Sequence, residues 1–124
     1  MFSDAPILIA EDNLYVALDL SNAVEDMDGR VVGPASTVIE ALSLLATRAV
    51  AGAIVDCQLA DRDAAPLARR LAERRVPFII HTSAPVPRDI GDLHPRVPVL
   101  MKPLQSSAVL ACLLDEMRKM AFAK

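Results

Sequence analysis

Residues 6–20, PILIAEDNLYVALDL, decide the fold: an unbroken apolar run ends in two acids and leads into a helical pattern. A continuous apolar run of this length is typical of a strand that is buried on both faces of a sheet. Beyond it, apolar residues recur at helical spacing from Leu14 to Met27, and Asn13 is a candidate N-cap. The segment therefore predicts a strand, a turn that carries Glu11 and Asp12, and a helix whose apolar stripe faces the core.

The same alternation continues to the end of the chain. Further apolar runs predict strands at Val31-Val32, Ala51 to Val55, Phe78 to Ile80 and Val97 to Met101. Helical patterns between the strands begin near Thr37 (with Ile39 on the core face and a capping-box spacing to Glu40), near Asp63 (with Pro66 in the first turn) and from Gln105. Alternating strands and helices favour an α/β fold with a doubly wound, five-stranded parallel sheet.

Prolines interrupt the pattern between residues 83 and 98. Proline removes a backbone donor and clashes with the preceding helical turn. A fourth helix is therefore expected to be short, from Pro87 to Leu93 and about two turns at most, or to be missing.

Composition sets limits on the class of protein. The 124 residues fit a single domain spanning 1–124, and 53% of them are hydrophobic, which argues against disorder. The formal net charge is −3 and no long basic run is present, so we expect no nucleic-acid partner. No stretch approaches the ~20 apolar residues that span a bilayer. Cys57 and Cys112 fit no zinc or disulfide pattern, so both are expected to be reduced thiols in a cytoplasmic protein.

Polar residues stand where the predicted strands end. Glu11 and Asp12 follow the first strand, Asp56 the third, Thr82 the fourth and Lys102 the fifth. In a doubly wound sheet, ligands bind outside the carboxyl ends of the strands, where these residues meet. The pattern predicts one acidic site with a hydroxyl and an ammonium group.

These residue types suit magnesium and phosphoryl chemistry. Crowded carboxylates repel one another, and Mg²⁺ resolves that repulsion through oxygen ligands. Asp12 and Asp56 can bind the ion directly, and Glu11 can bind it through water. A carboxylate can accept a phosphoryl group as a nucleophile. Lys102 and the Thr82 hydroxyl supply the charge and the hydrogen bond that the phosphoryl oxygens need.

The chain resembles the receiver domain of two-component response regulators. The resemblance runs from Ile7 to Lys119 and is carried by the acidic pair Glu11-Asp12, by Asp56 in IVDCQL, by Thr82 in PFIIHTSA and by Lys102 in LMKP. It implies the flavodoxin-like strand order 2-1-3-4-5 and makes Asp56 the phosphoacceptor. It further implies that Asp12 and the backbone carbonyl of Gln58 join Asp56 around Mg²⁺, and that the Lys102–Pro103 bond is cis.

The resemblance also implies partners. A histidine kinase or phosphotransfer protein would donate the phosphoryl group, and a downstream protein of unknown identity would receive the signal by protein–protein contact. Since the chain ends just after the last helix, we expect a stand-alone receiver without a membrane or nucleic-acid partner. Val109, Cys112 and Met120 on the last helix are a possible homodimer face.

Departures from the family pattern keep two alternatives open. Val99 stands where the family often has Tyr or Phe, and the loop CQLADRDAA lacks the usual Pro-Gly turn. These changes suggest a receiver-like module that signals without phosphorylation. An aspartyl-nucleophile phosphatase is the other alternative, but the second acid of its Asp-x-Asp pattern is missing in Asp56-Cys57-Gln58.

Three further residue groups have two interpretations each. Leu14 and Leu18 either dock a kinase helix or complete the core. His81 either binds a metal or fills the structure, pointing away from Thr82 because strand residues alternate. Cys57 is either a redox switch or, as we expect, a small core thiol.

Overall fold

The computed structural model describes residues 1–93 and 97–122. Strands and helices alternate along these residues. The strands are β1 (Pro6–Ala10), β2 (Arg30–Ala35), β3 (Gly52–Val55), β4 (Phe78–Thr82) and β5 (Val99–Met101). The helices are α1 (Leu14–Asp26), α2 (Val38–Thr47), α3 (Ala65–Glu73), α4 (Arg88–Leu93) and α5 (Ser106–Phe122).

The sheet is parallel throughout and has the strand order β2-β1-β3-β4-β5, which confirms the predicted topology. Alternate strand residues enter two apolar layers. One layer joins the sheet to α2, α3 and α4, and the other joins it to α1 and α5. Because β1, β3 and β4 lie inside the sheet, their apolar side chains are buried on both faces, as the unbroken runs predicted.

Helix α1 begins as the sequence predicted but faces the core with fewer residues. The Asn13 side chain accepts hydrogen bonds from the backbone N–H groups of Tyr15 and Val16, so it is the N-cap. The core face consists of Ala17, Leu20, Ser21 and Val24. Leu14 and Leu18 are exposed, so of their two interpretations the core is excluded and the surface remains. They lie on the edge of the buried face, beside Ala17 and Ser21 at i,i+3 spacing, and the apolar pattern alone did not show where that face ends.

Strand β2 is longer than the predicted Val31-Val32. It continues through Gly33 and Pro34, although the chain is irregular there. Gly33 has φ +96°, the Gly33–Pro34 bond is cis, and the register with β1 shifts between Leu8 and Ala10. At Gly33 a Cβ atom would lie 2.7 Å from the Ala35 nitrogen, so glycine is required at this position. The apolar run ends at Val32, so the pattern did not show that the strand continues through Gly33 and Pro34.

The N-terminus of α2 is formed by Thr37, as predicted. The Thr37 hydroxyl accepts from the Glu40 N–H at 3.0 Å, and Glu40 in return accepts from the Ser36 N–H at 2.9 Å. Ile39, which the pattern placed on the core face, is exposed, so that placement was wrong.

The start of α3 lies slightly beyond the predicted position. The cap residue is Ala64, and the predicted cap Asp63 instead accepts a hydrogen bond from the Ala65 N–H at 3.0 Å. Pro66 lies in the first turn, where its missing N–H costs no helical hydrogen bond.

The last two helices test the predictions for the C-terminal third. Helix α4 has six residues and buries Ile90, which confirms a short fourth helix. Residues 94–96 of the proline-rich segment lie outside the described residues.

On α5, Val109 is fully buried, so its assignment to a homodimer face was wrong, while Met120 is exposed. No helix in the described part of the chain is long and apolar enough to cross a membrane.

Candidate functional site

The carboxyl ends of the central strands bring three acids together. Glu11 and Asp12 follow β1, and Asp56 follows β3, its direct neighbour in the sheet. One oxygen from each carboxylate lies within 4.8 Å of the other two. Glu11 and Asp56 are buried and Asp12 is exposed, so the cluster opens to solvent on the Asp12 side.

Lys102 completes this cluster from the segment that follows β5. Its Nζ lies 2.6 Å from Glu11 Oε1 and 2.9 Å from Asp56 Oδ2, so one ammonium group contacts both buried acids. Burial disfavours the charged ammonium, but the hydrogen bonds to Glu11 and Asp56 outweigh it and raise the pKa of Lys102. Lys102 therefore remains charged at neutral pH. The Lys102–Pro103 bond is cis, as the resemblance implies.

Glu11 is the buried residue of the acidic pair, and Asp12 is the exposed one. Burial raises the pKa of its carboxyl above the usual value, and the bonds to Lys102 and to the Asn13 N–H offset this only in part. The nearby charge of Asp56 adds to the rise. Because Glu11 Oε2 also accepts the Asn13 N–H at 3.0 Å, both oxygens of Glu11 already have partners.

Thr82 ends β4 beside the cluster and is 1% exposed. Its hydroxyl oxygen accepts the Ala84 N–H at 3.2 Å. The Cys57 side chain lies within hydrogen-bonding distance of Thr82, and burial raises the pKa of the Cys57 thiol. The thiol is therefore buried and protonated at neutral pH, which confirms the prediction of a core thiol. Its contact with Thr82 was not predicted, since it joins neighbouring strands.

The loop after Asp56 is held by a residue that the sequence analysis missed. Asp61 accepts the N–H groups of Val38 at 2.7 Å and Ile39 at 3.2 Å, both in the first turn of α2. These bonds, the one from Val38 above all, lower the pKa of the Asp61 carboxyl. The loop is closed further by a bond from the Ala60 N–H to the Ser36 carbonyl. An acid in a loop can cap a helix, but the N–H group of Ile39 that Asp61 accepts lies 22 residues earlier in the chain. The sequence therefore does not show which helix Asp61 caps.

His81 precedes Thr82 on β4 and is buried, as predicted. Neither of its ring nitrogens has a hydrogen-bond partner among the described residues. Burial lowers the pKa of His81, and the nearby charge of Lys102 lowers it further. The imidazole is therefore neutral at neutral pH.

The acidic cluster fits a divalent cation by its chemistry. Mg²⁺ takes one or two carboxylates and keeps several waters. Asp12 offers an exposed carboxylate next to a buried one from Asp56, so an ion that binds there can retain water on the open side. The Gln58 N–H points back to Asp56 Oδ1 at 3.4 Å, which places the start of this loop beside the cluster.

Solved structures of other proteins share this architecture, although the two sequence comparisons find no match. No family model and no curated sequence matches the chain. Among solved structures, SdrG from Sphingomonas melonis Fr1 is 30% identical and covers 95% of this chain and 99% of its own, with a TM-score of 0.76.

Two further structures share the fold at lower identity. A CheY-like response regulator receiver domain protein from Methanospirillum hungatei JF-1 is 18% identical, with a TM-score of 0.85 over 97% of this chain and 98% of its own. A response regulator receiver protein from Sinorhizobium medicae WSM419 is 19% identical, with a TM-score of 0.82 over 97% and 99%. With its strand order, its strand-end acids and these likenesses, the chain belongs to the response-regulator receiver domains.

Proposed function

We propose that this chain is a phosphoacceptor response regulator that receives a phosphoryl group on Asp56 in a Mg²⁺-dependent reaction. The receiver fold supports a role in two-component signalling. A histidine kinase or phosphotransfer protein is the proposed donor, and the output is contact with a downstream protein. The observation that carries the proposal is the single Lys102 ammonium, which contacts Asp56 and Glu11 at once.

The geometry of Asp56 suits a nucleophile. One oxygen, Oδ2, is held by Lys102, and the other, Oδ1, has among the described residues only a long 3.4 Å contact with the Gln58 N–H. An Asp56 oxygen attacks phosphorus, the new O–P bond forms, and the bond between phosphorus and the donor nitrogen breaks. The electron pair of that bond leaves with the donor's imidazole. Asp56 then loses its negative charge, and the Lys102 ammonium is free to pair with a phosphoryl oxygen.

Asp12, Asp56 and the Gln58 backbone carbonyl are the proposed magnesium ligands, and Glu11 is the proposed ligand through water. When bound, Mg²⁺ neutralises charge on the phosphoryl oxygens. Glu11 also positions Lys102. Its Oε1 accepts a hydrogen bond from Lys102 Nζ at 2.6 Å, which keeps the ammonium beside Asp56.

Thr82 is the proposed donor to a phosphoryl oxygen. Its oxygen accepts the Ala84 N–H, which leaves its own proton for donation. The Cys57 thiol lies near that hydroxyl, and donation to a phosphoryl oxygen requires the hydroxyl proton to point away from Cys57.

Leu14 and Leu18 support the proposal of protein partners. They are 74% and 56% exposed on α1, which begins directly after the acidic pair. An apolar surface at this place can receive a helix of the phosphoryl donor beside Asp56.

The direct test is incubation with acetyl phosphate and Mg²⁺, followed by intact-mass and peptide mass spectrometry. We expect one phosphoryl adduct on the peptide that carries Asp56. Asp56→Asn removes it, and Asp19→Asn, which changes an exposed acid of α1, retains it. No mass gain in the wild-type protein, or an equal gain in Asp56→Asn, contradicts the proposal.

Val99 favours a second candidate function, a receiver-like module that signals without phosphorylation. The side chain is 43% exposed on the edge strand β5, where the family often carries an aromatic ring. Beryllofluoride with Mg²⁺ distinguishes the candidates by NMR. Shifts that extend to β5 and α5 support a phosphorylation switch, whereas shifts confined to the acidic cluster support the second candidate.

The chain is not proposed to be a phosphatase. Gln58 stands where such an enzyme needs its second acid, and the next acid along the chain, Asp61, is bonded to the first turn of α2. Without the acid of the Asp-x-Asp pattern at position 58, turnover of a phosphate ester lacks the proton donor that this class of enzyme uses.

A further inference from the structure

A pocket of about 390 Å³ lies on the α1–α5 side of the sheet, behind the acidic cluster. Val16 and Leu20 from α1 form one wall, and Pro103 and Leu104 from the segment before α5 form another. His81, from β4, also lines it. Pockets of about 300–1,000 Å³ with apolar walls and a few polar groups are typical of small-molecule sites.

His81 is the unusual element of this pocket. It is 4% exposed, and both ring nitrogens lack a partner among the described residues. A buried polar group without a hydrogen bond is unfavourable, and the large majority of such groups are paired in folded proteins. No described residue forms such a bond with His81, and a molecule in the pocket can form one once the ring turns.

The charges around the pocket favour an uncharged ligand. Asp19 and Lys102 also line it and have opposite signs. The Lys102 ammonium is already bonded to Glu11 and Asp56, so it offers little to an anion. The uncharged polar groups that remain are the hydroxyls of Tyr15 and Ser106 and the neutral imidazole, which has one donor and one acceptor nitrogen.

The mouth of the pocket favours an aromatic ligand. Tyr15 is 84% exposed and Leu104 is 42% exposed, and both line the opening. A flat ring that enters between them covers the phenol face and the leucine side chain together. Aromatic rings gain from such contacts beyond the area that they bury.

We propose that this pocket binds a small, uncharged aromatic molecule that carries one N–H or O–H group, with the His81 imidazole as its hydrogen-bond acceptor. Neither ring nitrogen of His81 is exposed in the structure. The bond therefore requires the imidazole to turn about its Cβ–Cγ bond, which changes the environment of the ring on binding. The proposal does not depend on phosphorylation of Asp56.

Indole is the test ligand, and 1-methylindole, which lacks the N–H group, is the matched control. Titration of the ¹⁵N-labelled full chain is followed by NMR on the backbone amides and on the His81 ring nitrogens, without Mg²⁺ or phosphoryl donor. We expect saturable indole shifts at Val16, His81 and Leu104, and about five- to tenfold weaker binding of 1-methylindole.

Variants locate the site. His81→Phe keeps a ring without nitrogens and is expected to reduce the preference for indole over 1-methylindole to about one. Val16→Phe narrows the pocket and is expected to abolish binding, and Tyr15→Ala, at an exposed position that cannot disturb the core, is expected to weaken it. Ile39→Ala, an exposed apolar change on α2, is expected to leave binding unchanged.

Three results overturn the proposal. The first is the absence of saturable shifts with indole, including the case in which a partner protein covers the pocket but indole does not bind. The second is equal affinity for indole and 1-methylindole in the wild-type protein. The third is unchanged binding in Tyr15→Ala together with shifts outside the pocket. Since none of these measurements uses a phosphoryl donor, their failure is distinguishable from failure of Asp56 phosphorylation.

Discussion

Lys102 Nζ lies 2.6 Å from Glu11 Oε1, and so joins the segment after the last strand to the end of the first. The side chain of Glu11 is 2% exposed and that of Lys102 is 16% exposed. In such surroundings a charge that loses its partner is far less favourable than the paired charge. The same contact that orients the ammonium towards Asp56 therefore also contributes to the stability of the fold.

Replacing Lys102 by Met is expected to lower the free energy of unfolding by about 2 kcal/mol, because Glu11 and Asp56 each lose a charged hydrogen bond. Urea unfolding measures the change. In the double variant with Glu11→Gln, part of the loss should be recovered, since the most buried unpaired carboxylate is then gone.

The exposed pair of Lys119 and Asp115 is the control for that cycle. Its atoms are 3.3 Å apart on the surface of α5. Solvent screening makes such pairs weak, so the coupling between Lys119→Met and Asp115→Asn should be much smaller. Equal coupling energies in the two cycles would show that the Glu11–Lys102 contact adds nothing to stability.

Magnesium is expected to stabilise the protein through Asp12 and Asp56. Binding to the folded state alone adds about 2.7 kcal/mol to the free energy of unfolding at a hundred times the dissociation constant. The rise in thermal midpoint with Mg²⁺ should be strongly reduced in Asp12→Asn and retained in Asp19→Asn. If both variants show the wild-type rise, the ion does not bind at the acidic cluster.

The strand-end residues were predictable because a parallel sheet leaves little freedom in where its strands end. Apolar runs with an acid, a hydroxyl or an amine directly after them place these groups on one edge, whatever the loops do. The strand order was implied by the family resemblance, whereas the Asn13 and Thr37 caps and the short α4 follow from equally local signals. None of these local predictions depends on knowing which residues meet across the fold.

Long-range contacts between side chains were not predictable in this way. The Asp61 bonds to α2 and the missing partners of His81 depend on how separate elements pack. The sequence left open whether Leu14 and Leu18 lie in the core or on the surface for a related reason. An apolar stripe that is wider than the buried face looks the same in the sequence as one that fits it, until the neighbouring helix is in place.

His81 provides a prediction about pH. Its pKa is lowered in the folded state, so the unfolded chain, with a value near 6.5, binds the proton more tightly. The stability that this shift contributes is present above the unfolded pKa and is lost as the pH falls through the lower folded pKa. Unfolding free energies from pH 7.5 to pH 5 should therefore fall more steeply in the wild type than in His81→Phe.

The other histidine and the raised pKa of Glu11 are common to both proteins and cancel in that difference. Parallel pH profiles would mean that His81 titrates normally in the folded protein, in conflict with its burial. A steeper decrease in the variant would reverse the predicted sign.

The contact of Asp61 with α2 leads to a graded prediction. Each carboxylate oxygen accepts a different N–H group, Oδ1 from Val38 and Oδ2 from Ile39. Asp61→Asn keeps one acceptor oxygen and Asp61→Ala keeps none, so the urea midpoint at pH 7 should decrease in that order. Because the pKa of Asp61 is lowered, its contribution is present above the usual value of 3.8 and is lost as the pH falls through the folded pKa. The gap between wild type and Asp61→Ala should accordingly narrow in acid.

Asp26, an exposed acid at the last position of α1, is the matched control for Asp61. A negative charge at a helix C-terminus is unfavourable, so Asp26→Ala should leave the urea midpoint unchanged or raise it slightly. An Asp61→Ala variant as stable as the wild type at pH 7 would show that Thr37 alone is a sufficient cap. A decrease that is equal in the Asn and Ala variants would mean that the charge of Asp61, and not the number of its acceptor oxygens, connects the loop after Asp56 to α2.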